Sequence, residues 1–309
     1  MSPETTPTTS NVLTSAHITS SSLLTPTIKV WRIYLEDQGV SMHTVKAFIS
    51  DLNLLATYLP PDRSLGEIST SELTNFLNWM QTERGVPCSP KTLARRITSI
   101  KAFLRWLHQF GALIIDPAEK VPQRTVISPL PVVLTPEEVE LALEAADRQR
   151  RAAKPDARTY TLFSLLLHTG IKKGECLALT PNHIELEAPN GPFLFVRYAS
   201  PQNRYKERKI SLPPEWVEAY AEYRGQYNID EQVFPWSQRR LEYLLEDLGE
   251  EAGLKAKHLS FDMCRWTCAL SDWKSGMDRN KIRQKLGISK IQWREISAKL
   301  RQLAGEETG

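Results

Sequence analysis

The stretch from Asp116 to Pro131 limits the possible folds more than any other, because Pro117, Pro122, Pro129 and Pro131 punctuate it. Proline has no amide hydrogen and pushes the residue before it out of the helical region, so neither a helix nor a central strand runs through such a stretch. It predicts an extended, polyproline-like linker over residues 119–133, with one body on each side. The chain of 309 residues leaves each body long enough to bury a core of its own. The expected organisation is a tail over 1–27, a helical domain over 28–118, the linker, and a mixed domain over 134–309.

Residues 1–27 are about half serine and threonine, with almost no charge. This composition buries too little apolar surface to offset its ordering entropy, so a disordered tail is expected. A hydrophobic content of 41% and a charged content of 24% are those of an ordinary globular chain. No apolar run is long enough for a bilayer, and no basic segment precedes Lys29, so neither a membrane association nor a secretory signal is expected. The expected location is cytoplasmic and nucleoid-associated. Cys264 and Cys268 share a helix face, but a zinc site needs two more ligands and only His258 is near in sequence. Core thiols are expected, with no metal and no cofactor. His168, His183 and His258 read as ordinary core or surface histidines.

The first domain reads as four helices: Ile28 to Gln38, Thr44 to Tyr58 behind a Ser41 cap, one capped at Ser69 or Thr70, and one from Pro90 through Gln109. In the last, Leu93, Ile97, Ile100, Leu104 and Leu107 form a core stripe at three- and four-residue spacing. No acidic residue lies between Glu83 and Asp116, where Lys91, Arg95, Arg96, Lys101 and Arg105 all fall. Like charges at helical spacing repel. A helix face of one sign therefore suggests an external polyanion, with DNA phosphate the expected partner. A second acid-free run, from Arg279 to Arg294, contains Lys281, Arg283, Lys285 and Lys290. The bland reading of both runs is a solvated helix face. The net charge of +3 permits nucleic-acid binding without arguing for it.

The second domain opens with a helix from Thr135 to Gln149, where threonine caps, proline follows and acids fill the first turn. An apolar helix from Tyr160 to His168 ends at a Gly170 turn. Ile184 to Glu187, Phe193 to Tyr198 and Lys209 to Leu212 read as short strands, the first two joined at Pro189-Asn190-Gly191. Helices resume at Pro214, Ser237, Ser260, Asp278 and Lys290. The fold class is mostly α with a small β-sheet.

Several phrases carry a family resemblance. Thr169-Gly170-Ile171-Lys172-Lys173-Gly174-Glu175 resembles the first catalytic box of the tyrosine recombinase (phage integrase) family, with lysine in the arginine slot. Cys264-Arg265-Trp266-Thr267, Gly276 and Leu286-Gly287 resemble its second box. Ser41-Met42-His43-Thr44-Val45, Arg96 through Leu107 and Asp116-Pro117-Ala118 resemble its helical domain. The resemblance implies an N-terminal SAM-like core-binding domain and an α+β catalytic-type domain. In active members two arginines, a histidine, a lysine and a further histidine or tryptophan surround a scissile phosphate, and a tyrosine attacks it.

Laid on that pattern, Arg265 keeps the second arginine. Lys172 stands for the first, Asn203 for the lysine, Asp262 for the histidine, Ile288 for the later histidine or tryptophan, and Ser297 for the nucleophile. Arg204 and Lys206 lie near the lysine slot. No tyrosine follows Tyr243. Lys172 lacks the planar fork that clamps two phosphate oxygens, and Asp262 places negative charge where the transition state gathers it. The resemblance thus implies a DNA-binding but catalytically degenerate protein, a regulator or accessory factor in recombination, integration or transposition. Its expected partners are double-stranded DNA, another recombinase or transposase subunit, and copies of itself on DNA. Its expected DNA contacts are Lys91, Arg95, Arg96, Lys101, Arg105, Lys172, Arg204, Lys206, Arg265 and Lys285. Two readings compete: an active recombinase using Ser297, and an interaction module that has lost DNA binding. For Arg265, an internal salt bridge to Asp262 or Glu175 competes with a phosphate contact.

Overall fold

A computed structural model describes residues 18–86, 88–123, 129–254 and 256–306, and it divides into two compact units at Ser128–Pro129. Among the described residues no helix is long and apolar enough to cross a membrane.

The first unit holds four helices, α1 (Leu24–Asp37), α2 (Met42–Tyr58), α3 (Thr70–Thr82) and α4 (Pro90–Gln109). Ser41, Ser69 and Ser89 each cap the helix that follows, accepting from the amides of Thr44, Glu72 and Thr92. Trp31, Leu52, Leu55, Phe76, Phe103 and Leu104 form the centre of the core. Two boundaries differ from expectation. Residues 18–27 belong to the fold rather than to a tail, since the Gly66 and Leu65 amides donate to the Ser20 and Ser22 carbonyls at 2.8 and 2.9 Å. Leu24, at 5% exposure, begins α1 inside the core. Serine and threonine content misled here because these backbone bonds do not depend on side-chain hydrophobicity. The rest of the expected tail lies outside the described residues. The expected linker is also shorter at its start, because Val121 is buried and the Gln123 amide group donates to the Thr98 hydroxyl at 3.1 Å. Residues 124–128 are outside the described residues.

Asp51 of α2 is 3% exposed and links α2 to α4. Its carboxylate takes Arg95 Nη1 at 2.6 Å and the Ser99 hydroxyl at 2.7 Å, and Arg96 Nε lies 3.4 Å away. The carboxylate missing from α4 is thus supplied by α2. Asp51→Ala removes the acceptor of the Ser99 hydroxyl and of a partly exposed Arg95, leaves the more buried Arg96 without a carboxylate, and is expected to destabilise the first unit by about 1–3 kcal/mol. Hydrogen exchange of α2 and α4 amides checks it: protection equal to that of the parent would show that the pair contributes little.

The second unit packs helices around one three-stranded antiparallel sheet, β1 (Ile184–Glu185), β2 (Phe193–Val196) and β3 (Arg208–Ser211), in the order β1-β2-β3. Leu194 faces Ile184 on one side and Ile210 on the other, so the inward register is apolar. Before the sheet come α5 (Pro136–Arg150), α6 (Arg158–Thr169) and the one-turn α7 (Lys173–Leu177). After it come α8 (Pro214–Gln226), α9 (Gln238–Glu251), α10 (Phe261–Lys274), α11 (Arg279–Lys285) and α12 (Lys290–Leu303). Phe163, Leu166, Leu194, Trp216, Tyr223 and Leu245 lie in the main core. Cys176 and Cys264 are buried there as free thiols, and Cys268 is buried nearby. Among the described residues no cluster of His, Cys, Asp or Glu is arranged for a metal. His183 acts locally, its Nδ1 accepting from the Thr180 amide at 3.1 Å.

A smaller core closes the C-terminal end, built from Leu270, Trp273, Ile282, Leu286, Ile288 and Leu300. Leu300 is fully buried, and Leu303 packs against the same cluster. Trp273 Nε1 donates to Glu306 at 2.8 Å, and Arg279 pairs with the same carboxylate at 3.7 Å. Both leucines are therefore seated in their own chain.

Candidate phosphate site

The segment after α6 turns at Gly170, which adopts φ +58 and ends the helix. That turn brings Lys172 to the start of α7 and places Glu175 one turn later, where its Oε2 accepts from the Lys172 amide at 2.8 Å. The β2–β3 connection and the turn between α11 and α12 approach from other directions. The three segments meet on two buried ionic side chains, Glu175 and Arg208.

Arg208 donates to both Glu175 oxygens, Nη1 at 3.0 Å and Nη2 at 2.8 Å. Its Nε donates to the Lys285 carbonyl at 2.6 Å, and Nη1 also reaches the Lys206 carbonyl at 3.1 Å. The two side chains are 7% and 3% exposed. Burial by itself would raise the Glu175 pKa, but the Arg208 bonds and charge outweigh it, with help from Tyr198 and the Lys172 amide. The carboxyl is held at about 2. The Tyr198 hydroxyl donates to Glu175, and burial together with that carboxylate pushes the phenol well above its ordinary value. Burial presses Lys172 downward, and the nearby guanidinium and ammonium groups add to it while Glu175 opposes.

Arg265 stands on α10 and forms neither expected salt bridge. Its Nη1 donates to the Gly170 carbonyl and its Nη2 to the Leu286 carbonyl at 2.7 Å, tying the α6–α7 turn to the end of α11. Glu175 is taken by Arg208 instead, a partner 33 residues away that local spacing does not point to. The sequence held one signal for it: Arg208 ends the Lys206-Glu207-Arg208 phrase that begins β3.

The slots of the degenerate site come together only in part. Lys172, Asp262, Arg265 and Ile288 line one cavity of about 310 Å³, with Trp266, Gln292, Glu295 and Ile296. Asn203 is absent from the lining and instead accepts from Lys206 Nζ at 2.7 Å. Ser297 is absent as well, its hydroxyl donating to the Arg294 carbonyl at 3.2 Å within α12. The cause is helical geometry. Gln292, Glu295 and Ile296 share a face at three- and four-residue spacing, and residue 297 is turned about 100° from 296. Ile288, at 6% exposure, serves the C-terminal core.

The expected DNA contacts separate likewise. Lys91, Arg105 and Arg204 are exposed, and Lys101 is half-buried with Nζ 3.4 Å from the Glu119 carbonyl. Arg95 pairs with Asp51 at 2.6 Å while 40% of its side chain stays exposed, and Arg96 lies 3.4 Å from the same carboxylate, so the charge that compensates this part of α4 stands on α2. Lys285 pairs with Asp272 at 2.8 Å, with the two side chains 17% and 13% exposed.

Comparison with known proteins agrees with this architecture. The model of the phage integrase N-terminal SAM-like domain matches residues 28–111, and that of the phage integrase family matches residues 132–296. The tyrosine recombinase XerC of Mycobacterium leprae is 32% identical over 148 residues, 48% of this chain and 49% of that protein. The tyrosine recombinase XerD of Listeria innocua is 26% identical over 151 residues, 49% of this chain and 50% of that protein. The chain thus spans about half the length of the curated relatives it matches. A lambda integrase dimer bound to a COC' core site superposes with a TM-score of 0.69 at 16% identity, covering 94% of this chain and 80% of that one. XerH recombinase bound to palindromic difH substrate, in a post-cleavage complex, gives 0.68 at 19% identity, covering 92% and 82%. These two likenesses concern the fold. With two helical bodies, one three-stranded sheet and a family model spanning more than half its length, the chain belongs to the phage integrase family of tyrosine recombinases.

Proposed function

We propose that this chain binds duplex DNA without cutting it, and that it acts as a regulator or accessory factor in recombination, integration or transposition beside an active recombinase or transposase. The observation that carries this reading is the lining of the 310 Å³ cavity, in which no residue bears a hydroxyl, a thiol or an imidazole. Its carboxylates, Asp262 and Glu295, oppose the negative charge that phosphoryl transfer builds up. Tyr198 donates its hydroxyl to Glu175, and burial together with that carboxylate pushes the phenol well above its ordinary value, further from the anionic form. Solved recombinases of similar fold are described as dimers or tetramers on DNA, which supports duplex DNA as the partner and self-association on it. The seating of Leu300 and Glu306 within the chain supports a free protein that does not exchange its C-terminal segment. A DNA-bound role would place the protein on the nucleoid.

A suicide duplex carrying a nick tests the absence of chemistry. No denaturant-resistant protein–DNA adduct is expected from the parent. Ser297→Tyr alone is expected to stay inactive, because each missing transition-state donor removes roughly 10²–10³ in rate. An adduct formed by the parent and lost in Ser297→Ala or Tyr198→Phe would overturn the non-cutting assignment.

A further inference from the structure

A second, larger depression of about 760 Å³ adjoins the cavity, between the Tyr205–Lys209 stretch and the Lys281–Lys290 stretch. Seven cationic side chains line it and one carboxylate, Glu207. That carboxylate is already engaged, accepting from the Tyr198 amide at 3.0 Å. Five of the seven cations fall into two groups. Arg208 and Lys285 are pinned by Glu175 and Asp272 and form a fixed floor. Lys209, Lys281 and Lys290 are exposed, and none enters an ion pair among the described residues. Lys209 extends over the Phe193 ring at 4.4 Å, which directs its stem along the sheet. Arg283 donates from Nη1 to the Ile288 carbonyl at 3.2 Å, while its Nε is enclosed without an acceptor.

We infer that this groove, rather than the cavity at Asp262, is where the second unit holds the phosphodiester backbone of duplex DNA. The inference rests on the DNA-binding reading above and gives it a location. The two depressions share Ile288 and are neighbours, but the cavity's two cations, Lys172 and Arg265, are matched by two carboxylates, whereas the groove's seven cations face one. A phosphate entering the cavity meets Asp262 and Glu295, and the guanidinium it would use, Arg265, already donates to two carbonyls. A phosphate entering the groove meets ammonium groups that replace the cations condensed on the DNA, and those cations are released on binding. Loss of the catalytic constellation and retention of DNA affinity are then separable, because they reside in different depressions.

The test uses the full chain, a fluorescently labelled duplex and a salt series. Lys209→Gln, Lys281→Gln and Lys290→Gln are combined in one variant. A control combines Arg148→Gln, Arg151→Gln and Lys154→Gln, which removes the same charge from exposed positions at the end of α5 and beyond it. Thermal midpoints confirm that both variants fold. The groove variant is expected to flatten the log–log salt slope by roughly 2–3 and to weaken binding about tenfold or more near 0.1 M salt, while the control stays close to the parent. Salt-dependent binding by the parent with an unchanged groove variant overturns the location and leaves the DNA-binding reading standing. Equal losses in groove variant and control also overturn the location, since net charge would then be responsible. Absence of salt-dependent binding by the parent overturns both.

Discussion

Arg208→Met is expected to destabilise the second unit by about 3–5 kcal/mol at neutral pH, because it strands Glu175 as a buried carboxylate. Two hydrogen bonds from one guanidinium hold that carboxylate, and the same guanidinium fastens the Lys285 and Lys206 carbonyls. The effect carries a pH signature. In the parent the Glu175 carboxyl sits at about 2 against an ordinary 4.5, so its folded-state pKa is depressed. The unfolded chain binds the proton first as pH falls. The stabilisation is therefore complete above about pH 4.5 and erodes as the pH drops toward 2, and the difference corresponds to roughly 3 kcal/mol. Without Arg208, burial dominates and raises that pKa, so protonation relieves the variant instead of harming it. The gap between parent and variant should accordingly be widest near neutrality and narrow below pH 4. Hydrogen exchange of α7 and β3 amides across pH measures this, and a gap that stays constant down to pH 3 would refute the assignment.

The second large effect is expected at Gly287, which adopts φ +58 between α11 and α12. A Cβ there would lie 2.5 Å from Arg208 Nη1 and 2.8 Å from its Cζ. A flexible side chain end would swing away from such a clash, but this guanidinium is held by four acceptor atoms. Gly287→Ala should therefore displace Arg208 from Glu175 in addition to straining the backbone, with a combined loss of about 3 kcal/mol or more. Gly276 provides the comparison, with φ +79 and open space around its missing Cβ. Gly276→Ala should lose only about 1 kcal/mol of backbone strain. Equal destabilisation of the two variants in urea titrations would show that the Arg208 contact is not what makes Gly287 necessary.

Most helix starts were legible because their signals are local. Ser41, Ser69, Ser89, Thr135, Ser237, Ser260, Asp278 and Ser289 are N-caps in the structure, and each stands within one turn of the apolar residues it serves. The Gly170 turn and the three strands were legible for the same reason. Three features were not legible because the deciding partner is remote. Arg95 and Arg96 looked like a free basic face until Asp51 was seen against them, 44 and 45 positions earlier in the chain. Lys285 looked available until α10 supplied Asp272. The serine-rich run at 18–22 looked unstructured until its carbonyls met residues 65 and 66.

What the amino-acid sequence determined by itself is the order and type of the elements, the two-body division near the proline-rich stretch, and the family, since all three depend on neighbours a few residues apart or on ungapped phrases. What only the tertiary structure decided is which charges remain free. Glu175 and Arg208, Lys285 and Asp272, and Arg265 with its two carbonyls find one another through folding. Burial makes those pairings obligatory, because a charge removed from water needs a partner wherever in the chain that partner lies. Which cations can meet an external phosphate is therefore settled after the internal pairs have formed, and no spacing rule along the chain reports that outcome.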